Sequence, residues 1–194
     1  AESLVTISEV TNTSRPGEVE SSVTNGILLV SSIKRLVKGL FRFPSSPDSS
    51  SKLPIPSLIE DSIMGWADSI KELFRSYTGE LTQTPRFIYD DSRPKGTPLK
   101  TRGGKAPGPE PLRECLVIIE NMLTQMEDGD YLSPLQCHDI ICHMANAVTA
   151  GGNRRAALIS LFSATDEEMK TCKSGHWWDG NSQRMRANNS AVIL

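Results

Sequence analysis

No run of apolar residues in this chain approaches the roughly 20 that a membrane-spanning helix needs. The longest clear one is Cys115–Ile119. Histidine is scarce at three residues and cysteine at four (Cys115, Cys137, Cys142, Cys172), all four in the second half of the chain. Cysteines so few, and mostly inside apolar helical patterns, read as reduced thiols rather than a disulfide framework. Net charge is nearly absent at −2, so no global field commits the chain to nucleic acid or an anionic membrane. The first residues, AESLVTISEV, are polar and acidic, unlike a secretory leader. Without secretion, the sequons at Asn12 and Asn188 read as chance matches.

Catalytic signatures are missing as well. No glycine-rich loop follows a strand, and RGGK at Arg102–Lys105 lacks both the spacing and the Ser/Thr of a phosphate loop. There is no HExxH and no GxSxG. From these absences the chain reads as a protein without catalytic activity and without a cofactor.

What is present is helical periodicity between proline-rich breaks. Apolar residues make up 38% of 194, below the usual globular level, and 12 prolines with long Ser/Thr stretches account for the deficit. Residues 1–22 read as a mobile tail. Residues 23–43 carry a helix in which Ile33, Leu36, Val37, Leu40 and Phe41 form one stripe. Residues 44–56 are a proline linker. A helical domain over 57–182 follows, with an irregular loop at 79–110, and 183–194 form a C-terminal tail. Within the domain, Ser57 and Glu60 suggest a capping box for a helix carrying Ile59, Ile63, Trp66, Ile70, Leu73, Phe74 and Tyr77. Arg86–Tyr89 reads as a short strand or an extended docking segment. Further helices are expected over 111–126, from Ser133 with Gln136 as its reciprocal cap, from Asn153 through Ala157, Leu158, Leu161 and Phe162, and from Thr165 with Glu168. The expected fold class is mainly α, a small bundle of about five to six helices with a disordered N-terminal tail and a long Pro/Gly/Lys-rich internal loop.

Three surfaces and one cluster suggest binding chemistry. In the first helix Lys34, Arg35, Lys38 and Arg42 lie opposite the stripe of Ile33, Leu36, Val37, Leu40 and Phe41. Such a helix can rest on a partner or in an anionic membrane interface, where each cation contributes about 1 kcal/mol. Arg93, Lys95, Lys100, Arg102 and Lys105 form an acid-free loop suited to phosphates, though no aromatic interleaves to stack on bases. Trp66, Trp177 and Trp178 are candidate contact anchors. Cys137, His138, Cys142, His143, Cys172 and His176 are ligand types that zinc accepts, but their spacing matches no known signature. They read instead as core thiols with a half-exposed histidine, and no metal site is expected.

The functional expectation is a soluble, matrix-like scaffold. It would self-associate as a homo-oligomer and dock on partner proteins, and on anionic membrane at its inner, cytoplasmic face. The alternatives are a nucleic-acid-associated structural protein using the loop 93–105 and, more distantly, a zinc-binding protein.

Overall fold

The computed structural model describes residues 4–9, 53–99, 104–127, 129–149 and 156–192. The basic helix (Ile33, Lys34, Arg35, Leu36, Val37, Lys38, Leu40, Phe41, Arg42) lies outside the described residues, as do Lys100 and Arg102 of the cationic loop. The described elements run β1 (Leu4–Glu9), β2 (Ile55–Leu58), α1 (Ile63–Tyr77), β3 (Pro85–Ile88) and α2 (Glu110–Leu123). They continue with α3 (Pro134–Thr149), β4 (Ala156–Ser163), α4 (Glu167–Thr171), α5 (Trp178–Asn181), a 3-10 turn (Ser182–Arg186) and β5 (Ala187–Val192). These elements divide between two compact units.

One unit holds β2, α1, β3 and α2. Strands β2 and β3 pair in parallel, with Ile55 opposite Pro85 and Leu58 opposite Ile88. The capping box expected at Ser57 is not formed. Ser57 lies in β2, and the helix starts six residues later because Ser62 accepts a hydrogen bond from the Gly65 amide. Pro56 cannot donate to a ladder, which suits it to the edge of a two-stranded sheet. Helix α1 packs on α2, burying Ile70, Leu73 and Phe74 with Leu112, Cys115, Leu116, Ile119 and Leu123. The stretch read as irregular is partly ordered. Ala106 N donates to Thr97 O at 2.8 Å and Leu99 N to Gly104 O at 3.1 Å, about an antiparallel bridge between Pro98 and Lys105; Gly104 sits at φ +99, where an L side chain is strained.

The other unit holds β1, α3, β4, α4, α5 and β5. Its sheet has the order β1-β4-β5. The β1 pairing to β4 is antiparallel, with Thr6 opposite Ile159, and the β5 pairing is parallel, with Ser160 opposite Asn189. Here the mainly helical expectation is overturned in three places. Residues 4–9 of the supposed mobile tail form a strand, the helix expected from Asn153 is β4, and the supposed C-terminal tail contains β5. In β4, Leu158, Ser160 and Phe162 are buried while Ile159 is exposed, a period of two, not 3.6. A short apolar run such as LISLF fits either template until strand partners choose one. The fold is therefore α/β rather than a helical bundle. The Ser133–Gln136 box is formed in both directions, with Ser133 N donating to Gln136 Oε1 at 2.8 Å and Gln136 N to Ser133 Oγ at 3.2 Å. Helix α4 is capped by Asp166, not Thr165, its carboxylate accepting from Met169 N.

Candidate functional site

A polar cluster is buried between α3, the 3-10 turn and β5. Helical spacing puts His138 and Cys142 on one face of α3, with the Cys142 Sγ 3.8 Å from His138 Nε2. His138 is fully buried. Its Nδ1 lies 3.1 Å from Asp139 Oδ1 and its Nε2 lies 3.2 Å from Asn189 Oδ1. Arg184, 9% exposed, closes the cluster. Its Nε donates to Asp139 Oδ1 at 2.8 Å and its Nη2 to Asp139 Oδ2 at 2.6 Å. The third nitrogen, Nη1, donates to the Cys172 carbonyl at 2.7 Å. Asn189 Nδ2 donates to Cys172 Sγ at 3.3 Å, and Lys173 Nζ donates to the Ala187 carbonyl.

The charges follow from this geometry. Burial alone would raise the Asp139 carboxyl, but hydrogen bonds from His138 and Arg184, with the Arg184 charge, hold it below its ordinary value. Burial pushes the Cys115 and Cys142 thiols up to about 12 and Cys137 to about 11, and raises Cys172 as well. All four are therefore neutral thiols at physiological pH, unlike the low-pKa thiolates of reactive cysteines. Burial lowers His143.

Beside the β4–β5 pair lies an open hollow of about 300 Å³ lined by the buried Leu158 and Ala187 and the exposed Ile159, Met185, Arg186 and Asn188.

The candidates from sequence are scattered. Among the described residues no group of three or more His, Cys, Asp or Glu is placed to hold a metal ion. Of the six metal candidates, His138, Cys142 and Cys172 belong to the buried cluster, while Cys137 is buried, His143 is half-buried and His176 is exposed beside Trp178 at 5.0 Å between ring centroids. Arg93 is engaged by Asp61, Nε to Oδ2 at 2.6 Å; Lys95 and Lys105 are exposed. Trp66 and Trp177 are half-buried and Trp178 is exposed. Sequence reasoning missed Asp139, Arg184, Arg186 and Asn189. Asp139 and Arg184 lie 45 positions apart, so no local pattern signals their pairing.

No family model matches the chain. Curated relatives do. The chain is 32% identical over 140 residues to a protein of a Mycobacterium phage described as a putative adenosylcobalamin-dependent ribonucleoside-triphosphate reductase, covering 64% of this chain and 20% of that protein. It is 38% identical over 96 residues to the adenosylcobalamin-dependent ribonucleoside-triphosphate reductase of Lacticaseibacillus paracasei, covering 46% and 13%. The reductase of the same description from Euglena gracilis is 31% identical over 158 residues, covering 80% and 21%. The chain thus spans at most about a fifth of the length of these relatives. In fold it is similar to the crystal structure of a B12-dependent class II ribonucleotide reductase, with a TM-score of 0.59 and 22% identity over 75% of this chain and 20% of that one. These relatives are enzymes. They overturn the reading of a non-catalytic, matrix-like scaffold, and nothing in them supports the nucleic-acid or zinc-binding alternatives.

Proposed function

We propose that this chain serves as part of an adenosylcobalamin-dependent ribonucleoside-triphosphate reductase. The observation that carries the reading is agreement among relatives: proteins from a phage, a bacterium and Euglena, aligned at 31–38% identity, share that one description. The α/β fold likeness points the same way.

Within such an enzyme the described residues act as supporting structure. Adenosylcobalamin, a corrin with nucleotide and adenosyl arms, exceeds a drug-sized ligand, whose pockets span roughly 300–1,000 Å³. The hollow at β4–β5, about 300 Å³, does not fit it, and no step through the cofactor is assigned to these residues. Nor do the four cysteines fit the role of exchanging reductant, since each is a buried, neutral thiol. Their part is packing, and the part of Asp139, Arg184 and His138 is to hold β5 in place.

The test is a segment exchange. The 158 aligned residues of the Euglena gracilis reductase are replaced by those of this chain, and deoxyribonucleotide formation is followed with adenosylcobalamin and a dithiol. Cofactor-dependent turnover supports the proposal. A folded chimera with no turnover, beside an active parent, sinks it.

A further inference from the structure

We propose that Lys173 is a modification site, a nucleophilic amine that accepts an acyl group from a small acyl phosphate. This inference goes beyond the reductase reading and does not depend on it. Lys173 follows the C-cap of α4, is half-buried, and donates from Nζ to the Ala187 carbonyl at the start of β5. The centre of the Trp177 ring lies 5.8 Å from the same nitrogen. Among the described residues no carboxylate pairs with it. The acid of this cluster, Asp139, has both oxygens taken by Arg184. Arg184 also donates from Nη1 to the carbonyl of Cys172, the residue next to Lys173. An amine partly withdrawn from water, beside a second cation and without an anion, is biased toward its free base, and the free base is the nucleophile. Lys170, three residues earlier, differs in both respects: it is exposed and is paired with Glu167, Nζ to Oε1 at 2.8 Å.

The groups around Lys173 act in that direction. Burial first, and then the Arg184 charge, lower the Lys173 ammonium from its ordinary 10.5. Cys142 of α3 and Cys172 at the end of α4 oppose this only as thiolates, and burial keeps both as neutral thiols at physiological pH. In the reaction the Nζ lone pair forms a bond to the acyl carbon. The bond from that carbon to the bridging phosphate oxygen breaks, and phosphate leaves with the electron pair and takes up the proton that nitrogen releases. The resulting amide is uncharged and keeps one N–H for the Ala187 carbonyl. Acylation therefore removes a partly desolvated cation while leaving the contact to β5 in place.

Acetyl phosphate is the probe. It is incubated with the folded 194-residue chain over a range of pH from 6.5 to 9.5, and acetylation of each lysine is followed by peptide mass spectrometry. At pH 7.5 Lys173 is expected to react about threefold or more faster than Lys170, because the rate follows the free base. The Lys173 rate should also level off at a lower pH than the Lys170 rate, a readout that access of the reagent does not move. In guanidinium chloride, where both side chains are solvated alike, the two rates should agree within about twofold. Circular dichroism should be unchanged once Lys173 is fully acetylated. The proposal is overturned if Lys173 of the folded chain reacts no faster than Lys170 at pH 7.5, or if the two pH profiles run parallel. It is overturned too if Lys173 keeps its lead in the denatured chain, which would place the cause in the local sequence, or if acetylation at Lys173 unfolds the protein. None of these results bears on the segment exchange, so the reductase reading and this site stand or fall separately.

Discussion

Arg184 grips both carboxylate oxygens of Asp139, at 2.8 Å from Nε and 2.6 Å from Nη2, with both residues less than a tenth exposed. Removing one member strands the other as a buried charge, which costs about 3–5 kcal/mol. Arg184→Ala should therefore lower the unfolding free energy by that amount in urea titrations. Replacing both partners together, as Asp139→Asn with Arg184→Leu, should cost clearly less than the sum of the single changes.

The same pair makes part of the stability depend on acid. Since the folded Asp139 carboxyl lies below its ordinary value of 3.8, its contribution is fully present above that value. It is lost as the pH falls through the depressed folded value. Stability measured from pH 6 to pH 2 should drop more shallowly in Asp139→Asn than in wild type.

At the alkaline end the thiols take over. Cys115 and Cys142, at about 12 against an ordinary 9.0, are neutral when folded and ionise earlier when unfolded. Their contribution is complete below pH 9 and declines as the pH rises from 9 toward 12. Denaturant midpoints should fall over that range, and Cys115→Ala should flatten the fall. At pH 7.5 a thiol reagent should leave the four cysteines of native protein unlabelled and react with all four after unfolding.

Gly65 is fixed by a contact rather than by its conformation. A Cβ there would meet the Glu60 carbonyl oxygen at 2.3 Å and the Glu60 Cβ at 2.8 Å. Alanine would gain up to about 1 kcal/mol of helix propensity, but the clash is with backbone, and overpacking typically costs about 1–3 kcal/mol. Gly65→Ala should be net destabilising in thermal melts; a raised melting temperature would contradict this packing.

Ser160 carries the opposite expectation. Its Oγ is fully buried and has no hydrogen-bond partner among the described residues. An unmade hydrogen bond of a buried hydroxyl is a standing cost of about 1–3 kcal/mol, so Ser160→Ala should be neutral or stabilising by chemical denaturation.

The sequence by itself determined the local features of this protein. Helices α1, α2 and α3 follow from apolar periodicity over about four turns each, and the Ser133–Gln136 cap from two side chains reaching amides three residues away. Only the tertiary structure decided the rest. Residues 156–163 are apolar enough for a helix or a strand, and β1 and β5 decide for strand by pairing along both edges. Asp139 and Arg184, like His138 and Asn189, meet across 45 and 51 positions. Their attraction depends on a separation in space that no local periodicity encodes. The strands and the buried cluster were therefore hidden from the sequence for the same physical reason: both rest on contacts between residues far apart in the chain.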